Sequence, residues 1–371
     1  MKFVQIHMLV SYPASNLNRD DLGRPKTVRI GETTRLRISS QSLKRAWRTS
    51  EVMNSSFPEL GIRTNKLSEA IEAALENGIS LVDLVKGNNN ATRNPVDKKV
   101  AKEYGEKIDA VFRSKSGKNT DSDDSEDESE KDGKKKKTEK KKQIFHYSDE
   151  EIRKVDSILA DISDNKKPDI SDLLTSEHYP VDIAMFGRMV ANDNRYTCEA
   201  AVQVAHSFTV HKAVIEEDYF TAVDDLNTAG STGAGHIDET AFGAGLFYTY
   251  ICVDFELLAK NLESETKAKD ALKTLLTAAA TVSPSGKQNA FASRAYASFV
   301  MIEKGDKQPR SLASSFLKPI HGEDLLDGAI SALKKTQANM DKVFGKCYDE
   351  CYVLDVMAGE GTLDDAGAFL E

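Results

Sequence analysis

Residues 114–142 contain no hydrophobic side chain, and no other stretch limits the possible folds as strongly. They run from an acidic block, DSDDSEDESEKD, into a lysine block, KKKKTEKKK. Without apolar surface to bury, such a segment cannot offset its chain entropy and is expected to stay disordered. Any folded domain must close around it, so it reads as a surface insertion. A lysine run also suits a nuclear address or an RNA-binding arm, but here the neighbouring acids nearly cancel it.

The remainder is well supplied with core residues. At 371 residues and 40% hydrophobic, the chain can bury a sizeable core as one large domain or two ordinary ones. Its longest apolar run, Leu275–Val282, is far too short for a bilayer span, and Gln5 and His7 interrupt any signal-peptide core. Four cysteines, Cys198, Cys252, Cys347 and Cys351, are too sparse for a disulfide framework. These features predict a soluble, cytoplasmic protein with reduced thiols and no membrane partner.

Net charge is −9, with 50 Lys and Arg against 59 Asp and Glu. Residues 1–50 hold ten of those cations and three of the acids, which makes them +7 and leaves −16 for the rest. A basic head on an acidic body points to a localised polyanion site. A chance cluster of solvated charges is the plainer reading, and spacing must decide between them.

Phe3–Ser11 alternates as a strand, with Val4, Ile6, Met8 and Val10 on one face and Gln5, His7 and Ser11 on the other. A polar loop follows, and Thr34–Ile38 alternates again, with Leu36 and Ile38 inward and Arg35 and Arg37 outward. A helix then begins at Ser39 or Ser40. Residues 54–182 read mainly as helices, including Leu67–Asn77 and Glu150–Ile162. Strands return at Val202–Ile215 and Gly245–Phe255, and five glycines within 230–245 suit a protruding hairpin over 216–245. Lys267–Thr281 and Asp324–Phe344 read as helices, Tyr296–Glu303 as a strand. The interleaving predicts an α+β fold, a sheet with helices on one face.

The helix within RISSQSLKRAWR, residues 37–48, carries the most chemistry. At helical spacing Leu43, Ala46, Trp47 and Ser50 share one stripe, while Gln41, Lys44, Arg45 and Arg48 share the opposite one. Its first turn has serines and no carboxylate, so nothing acidic occupies the free N–H groups or repels an anion. Arg35 and Arg37 on the preceding strand, and Arg19 and Lys26 on the loop, complete a set suited to phosphate. Other chemistries are poorly supported. Asp20 and Asp21 can be read as ligands of a divalent ion or as turn residues. His206 and His211 are five apart on a strand, hence on opposite faces, and Cys347 and Cys351 lack a second pair for zinc. GSTGAG lacks the ending of a phosphate loop. No catalytic residue, metal or cofactor is expected, and the chain is not expected to be an enzyme.

Four motifs, NLNRDDLG, RISSQSLKRAWR, VDIAMFGRM and DYFTAVDDL, occur in an order that resembles the backbone, CasC-type subunit of the type I-E CRISPR Cascade complex. The likeness is strongest over 1–50 and 180–255; it departs in the charged insertion and in Tyr219, where a tryptophan is expected. It implies a single RRM-like (ferredoxin-like) antiparallel palm with a helical fingers region at 54–182 and a thumb hairpin at 216–245. Copies would stack along a CRISPR guide RNA with other Cascade subunits, the guide pairing with target DNA and a recruited nuclease-helicase cutting it. By matched position Asn18, Arg19, Lys26, Ser39, Gln41, Lys44, Arg45 and Arg48 would hold RNA. In the GRM motif Arg188 would also bind RNA and Met189 would wedge between bases, and Tyr219, Phe220 and Thr221 would contact RNA as part of the thumb. Without the resemblance, Met189 reads as core filling. The competing expectation is a metal-dependent endoribonuclease, like type III backbone subunits, using Asp20 or Asp21.

Overall fold

The computed structural model describes residues 1–113, 144–190, 193–222 and 236–371. The charged insertion and the expected hairpin tip, 223–235, lie outside the described residues. The chain begins with β1 (Phe3–Ser15), β2 (Thr27–Ile30) and β3 (Thr33–Ile38), then α1 (Ser40–Arg48) and α2 (Glu51–Ser56). Next come β4 (Ile62–Thr64), α3 (Leu67–Asn77), α4 (Leu81–Val85), α5 (Lys98–Phe112), β5 (Phe145–Tyr147), α6 (Asp149–Ser163) and α7 (Val181–Phe186). Then β6 (Val202–Val204), β7 (Ser207–Thr209), β8 (Glu216–Ala222) and β9 (His236–Asp254) lead into α8 (Phe255–Leu262) and α9 (Glu265–Thr281). The chain ends with α10 (Gln288–Phe291), β10 (Ala297–Gly305), α11 (Leu325–Phe344), β11 (Glu350–Asp355) and α12 (Leu363–Phe369).

One compact unit gathers Met1–Pro58, Ala184–Phe186 and Ala200–Glu371, the other Glu59–Ile183 and Gly187–Glu199. The first is built on an antiparallel sheet ordered β11-β10-β1-β9-β7-β3-β2, with β6 and β8 also paired to β9. Sheet plus helices make the fold α+β.

The sequence reading gave β1 a polar outer face, and the structure corrects it. Gln5 and His7 are as buried as Val4 and Ile6. The reason is that helices cover both faces of the sheet instead of one. Leu9, Phe299 and Met301 pack with Ala329, Ile330 and Leu333 of α11, while α8 and α9 abut β1, β9 and β10. A central strand covered twice must bury its polar side chains as well, and these are satisfied internally. His7 Nδ1 lies 2.9 Å from the Tyr248 hydroxyl, and its Nε2 faces Glu303.

The expected strand over 202–215 is divided into β6 and β7 by Ala205 and His206, and β2 forms within the loop that read as irregular. Residues Glu216–Ala222 pair with His236–Phe242 as an antiparallel stem. The second unit packs α3, α5 and α6 through Ile71, Leu75, Ile108, Phe112, Val155 and Leu159, with Tyr147 fully buried among them. Among the described residues no helix is long and apolar enough to cross a membrane.

Candidate nucleic-acid interface

Helix α1 starts where its serines permit. Ser39 Oγ accepts the Ser42 N–H, and no acid occupies the first turn. Leu43 and Trp47 turn into the core, whereas Gln41 and Arg45 are exposed and Lys44 and Arg48 partly so. The Lys44 ammonium lies 5.7 Å from the centre of the Phe186 ring. Partial burial holds its pKa below the ordinary lysine value. A cation already stripped of some water interacts more strongly with an incoming anion than a fully hydrated one.

The sequence reading left the amides opening this helix free; the structure fills most of them. Asn18 Oδ1 accepts the Ser39 N–H at 2.8 Å, and His206 Nδ1 accepts the Ser40 N–H at 3.0 Å. Gln41 N–H is the early amide without a protein partner among the described residues. Nothing local in the sequence marks His206 for this part, and only folding brings it 166 residues back to α1. Burial and the charges of Arg37 and Lys26 keep its pKa below the usual histidine value, so the ring is a neutral acceptor.

The loop is stitched to the same place by its backbone. Lys26 N–H donates to Asn18 O, and Arg37 N–H to Lys26 O, each at 2.8 Å. Asn18, Lys26, Arg37 and the outer stripe of α1 therefore form one surface, with Arg19 exposed on the adjoining loop; Ser39, expected to touch RNA, is instead buried, its hydroxyl capping the helix. Asp20 is a turn residue here: its Oδ1 accepts the N–H groups of Leu22 and Arg24 at 3.0 and 2.9 Å. No group of three or more metal-ligating side chains occurs among the described residues.

Two further expected RNA-binding residues are corrected. Arg35 is fully buried, with Nε on Thr33 Oγ1 and its two terminal nitrogens on the carbonyls of Thr209 and Phe316. Its donors tie three segments of the chain together, so it is not on the outer surface. Arg188 is likewise buried, gripping both carboxylate oxygens of Glu151 at 2.8–2.9 Å and the Thr175 carbonyl. Its neighbour Met189, in contrast, is 73% exposed, which is unlike a core-filling methionine. On β8, Tyr219 (60% exposed), Phe220 and Thr221 are exposed and stand opposite Glu239, Asp238 and Ile237.

The α+β fold thus carries, beside its antiparallel sheet, a serine-capped cationic face with no acid in its first turn, the kind of chemistry that a phosphate backbone requires. The chain belongs to the CT1975-like protein family, which matches residues 4–366. It is similar to a solved chain titled "CRISPR RNA-guided surveillance complex, pre-nicking", with 29% identity, a TM-score of 0.77 and 99% of both chains covered. A second, titled "CRISPR RNA-guided surveillance complex", shares the fold at 24% identity and a TM-score of 0.57, again over 99% of both chains. No curated protein matches. The likeness to a Cascade backbone-type subunit read from four short motifs thus extends along the whole chain.

Proposed function

We propose that the chain is a guide-RNA-binding backbone subunit of a type I-E Cascade complex, acting in antiviral defence in the cytoplasm. The observation that carries this reading is the end-to-end similarity to a subunit of an RNA-guided surveillance complex. The cationic face of α1 supports it, because a guide of any sequence has to be held by phosphate and sugar so that its bases stay free to pair with target DNA. In this reading the sheet unit is an RRM-like palm, the β8–β9 stem belongs to a thumb, and exposed Met189 unstacks a base step. Several copies line up along the guide among other Cascade subunits.

The subunit itself cuts nothing; cleavage belongs to a recruited nuclease-helicase. Asp20, whose carboxylate is spent on its own loop, supports that assignment over an endoribonuclease. Native mass spectrometry after co-expression with a CRISPR RNA tests the proposal. Several copies per RNA are expected, and a protein recovered only as an RNA-free monomer overturns it. Incubating the assembled complex with complementary RNA and Mg²⁺ is expected to leave that RNA intact, whereas regular cuts abolished by Asp20→Ala or Asp21→Ala would restore the nuclease reading.

A further inference from the structure

The GRM motif divides its work residue by residue. Gly187, at φ 80° and ψ 162°, turns the chain out of α7 in a backbone conformation that a side chain would strain. Arg188 then goes inward and Met189 outward, at 4% and 73% exposure. All three nitrogens of the buried guanidinium donate. Nη1 reaches both carboxylate oxygens of Glu151 at 2.9 and 2.8 Å, Nη2 the carbonyls of Thr175 and Tyr196 at 2.9 and 3.2 Å, and Nε the Tyr196 carbonyl again at 3.3 Å. Its Cζ also lies over two rings, 5.6 Å from the centre of Phe145 and 5.4 Å from that of Tyr179.

The backbone on either side adds to this hold. Arg188 and Cys198 exchange both backbone hydrogen bonds at 2.9 Å, and the N–H of Val190, itself buried, donates to Thr197 Oγ1 at 3.1 Å. Met189 is therefore pinned at both flanking residues while its own side chain stands in water. A buried ion pair adds little net stability over apolar packing of the same volume, so the Glu151–Arg188 pair is better explained by where it puts its neighbour than by what it adds to the fold. A wedge that separates stacked bases works against their stacking energy, and gains from being held in place before the RNA arrives.

We infer that Arg188 is a positioning residue for Met189: by locking onto Glu151 it sets the height and direction at which the exposed thioether meets a base step of the RNA. The inference rests on the RNA-binding reading above and deepens it, giving Arg188 an indirect part in binding in place of a direct contact.

The test uses 2-aminopurine, an adenine analogue whose fluorescence rises when its base is unstacked. The full chain is titrated onto single-stranded RNAs carrying the probe at successive positions, across a salt series. The unaltered chain is expected to brighten the probe and Met189→Ala to abolish the brightening. Arg188→Lys, which keeps the charge but not the planar fork, is expected to lose most of it with the salt slope unchanged. Lys44→Gln is expected to do the reverse, lowering the slope of log K against log salt by about 0.7 and sparing the brightening at saturation. Urea unfolding checks that each variant folds; should Arg188→Lys not fold, Glu151→Gln/Arg188→Met, which leaves no lone buried charge, takes its place with the same expectation. Brightening equal to that of the unaltered chain in either folded variant overturns the positioning role and leaves the wedge standing. A chain that binds RNA without brightening it removes the wedge and the positioning role while the phosphate contacts stand, and a chain that binds no RNA removes the RNA-binding reading with them. Amide hydrogen exchange on the unaltered chain needs no variant: the N–H groups of Arg188, Val190 and Cys198 should be as protected as those of α6, and exchange at open-loop rates would show that nothing holds Met189 in place.

Discussion

His206 Nδ1 accepts the Ser40 N–H at 3.0 Å, so a side chain from the connection between β6 and β7 fixes the first turn of α1. The bond does at a distance what an N-cap does locally: it satisfies an amide that the helix cannot, and it sets the direction in which the helix leaves the sheet. Because Arg37 also approaches the same nitrogen at 3.4 Å, strand, loop and helix meet at one neutral imidazole.

Removing that imidazole should therefore weaken RNA binding without removing a cation. His206→Ala is expected to lower affinity about three- to tenfold, the worth of a lost cap of roughly 1 kcal/mol, whereas His206→Asn keeps an acceptor and most of the affinity. Equilibrium titration with labelled RNA checks this, and equal affinities for the alanine variant and the unaltered chain would show that the Ser40 amide needs no holder.

The outer stripe of α1 predicts a different signature. Lys44→Ala or Arg45→Ala should weaken binding uniformly across RNA sequences and lower the salt slope by about 0.7 for each phosphate no longer neutralised. Isotherms on several unrelated sequences at four salt concentrations measure both quantities together. Sequence-dependent losses at an unchanged slope would mean that these residues read bases.

Arg35 should behave oppositely. Arg35→Met leaves the buried carbonyls of Thr209 and Phe316 without their donor, and is expected to cost roughly 2–5 kcal/mol of stability while leaving the salt slope of any folded protein as it was. Urea unfolding gives the first quantity and the salt series the second; a stable variant with a reduced slope would return Arg35 to the binding surface.

Arg35 also shows what sequence pattern can and cannot convey. Regular elements with strong periodicity were legible: α3 forms over the very residues expected, and α9 and α11 lie within two residues of their expected bounds. The α1 stripe was legible too, because helical phase alone separates Leu43 and Trp47 from Gln41 and Arg45. Alternation misled in β1 and β3, where charged or polar positions read as solvent-facing. There the second face is roofed by other parts of the chain, and Arg35 and His7 find partners on β7, β9, β10 and the turn before Leu317. Such partners lie 174 to 296 residues away and His206 lies 166 from Ser40, so no local window contains them. Arg188 failed in the same way, its charge belonging to Glu151 at the start of α6.

The network buried beneath β1 gives the last prediction, on acid stability. Burial alone would raise the pKa of Glu303, but its bonds to His7 and Arg310 outweigh that and bring it down to about 2 from an ordinary 4.5. A carboxylate depressed in the folded state contributes stability that is complete above the unfolded pKa and is lost as pH falls through the folded one. That loss, roughly 3 kcal/mol, falls between about pH 4.5 and 2. His7 acts earlier and in the same sense. Burial lowers its pKa, so below about pH 6.5 the unfolded chain takes up a proton that the folded chain refuses. Urea midpoints should be flat above pH 7, decline below 6.5 and fall more steeply below 4.5. Glu303→Gln should be less stable at pH 7, because Arg310 loses its buried counter-charge, yet show a shallower decline below pH 4.5. An identical acid limb in both proteins would mean that the stability lost in acid resides in other carboxylates.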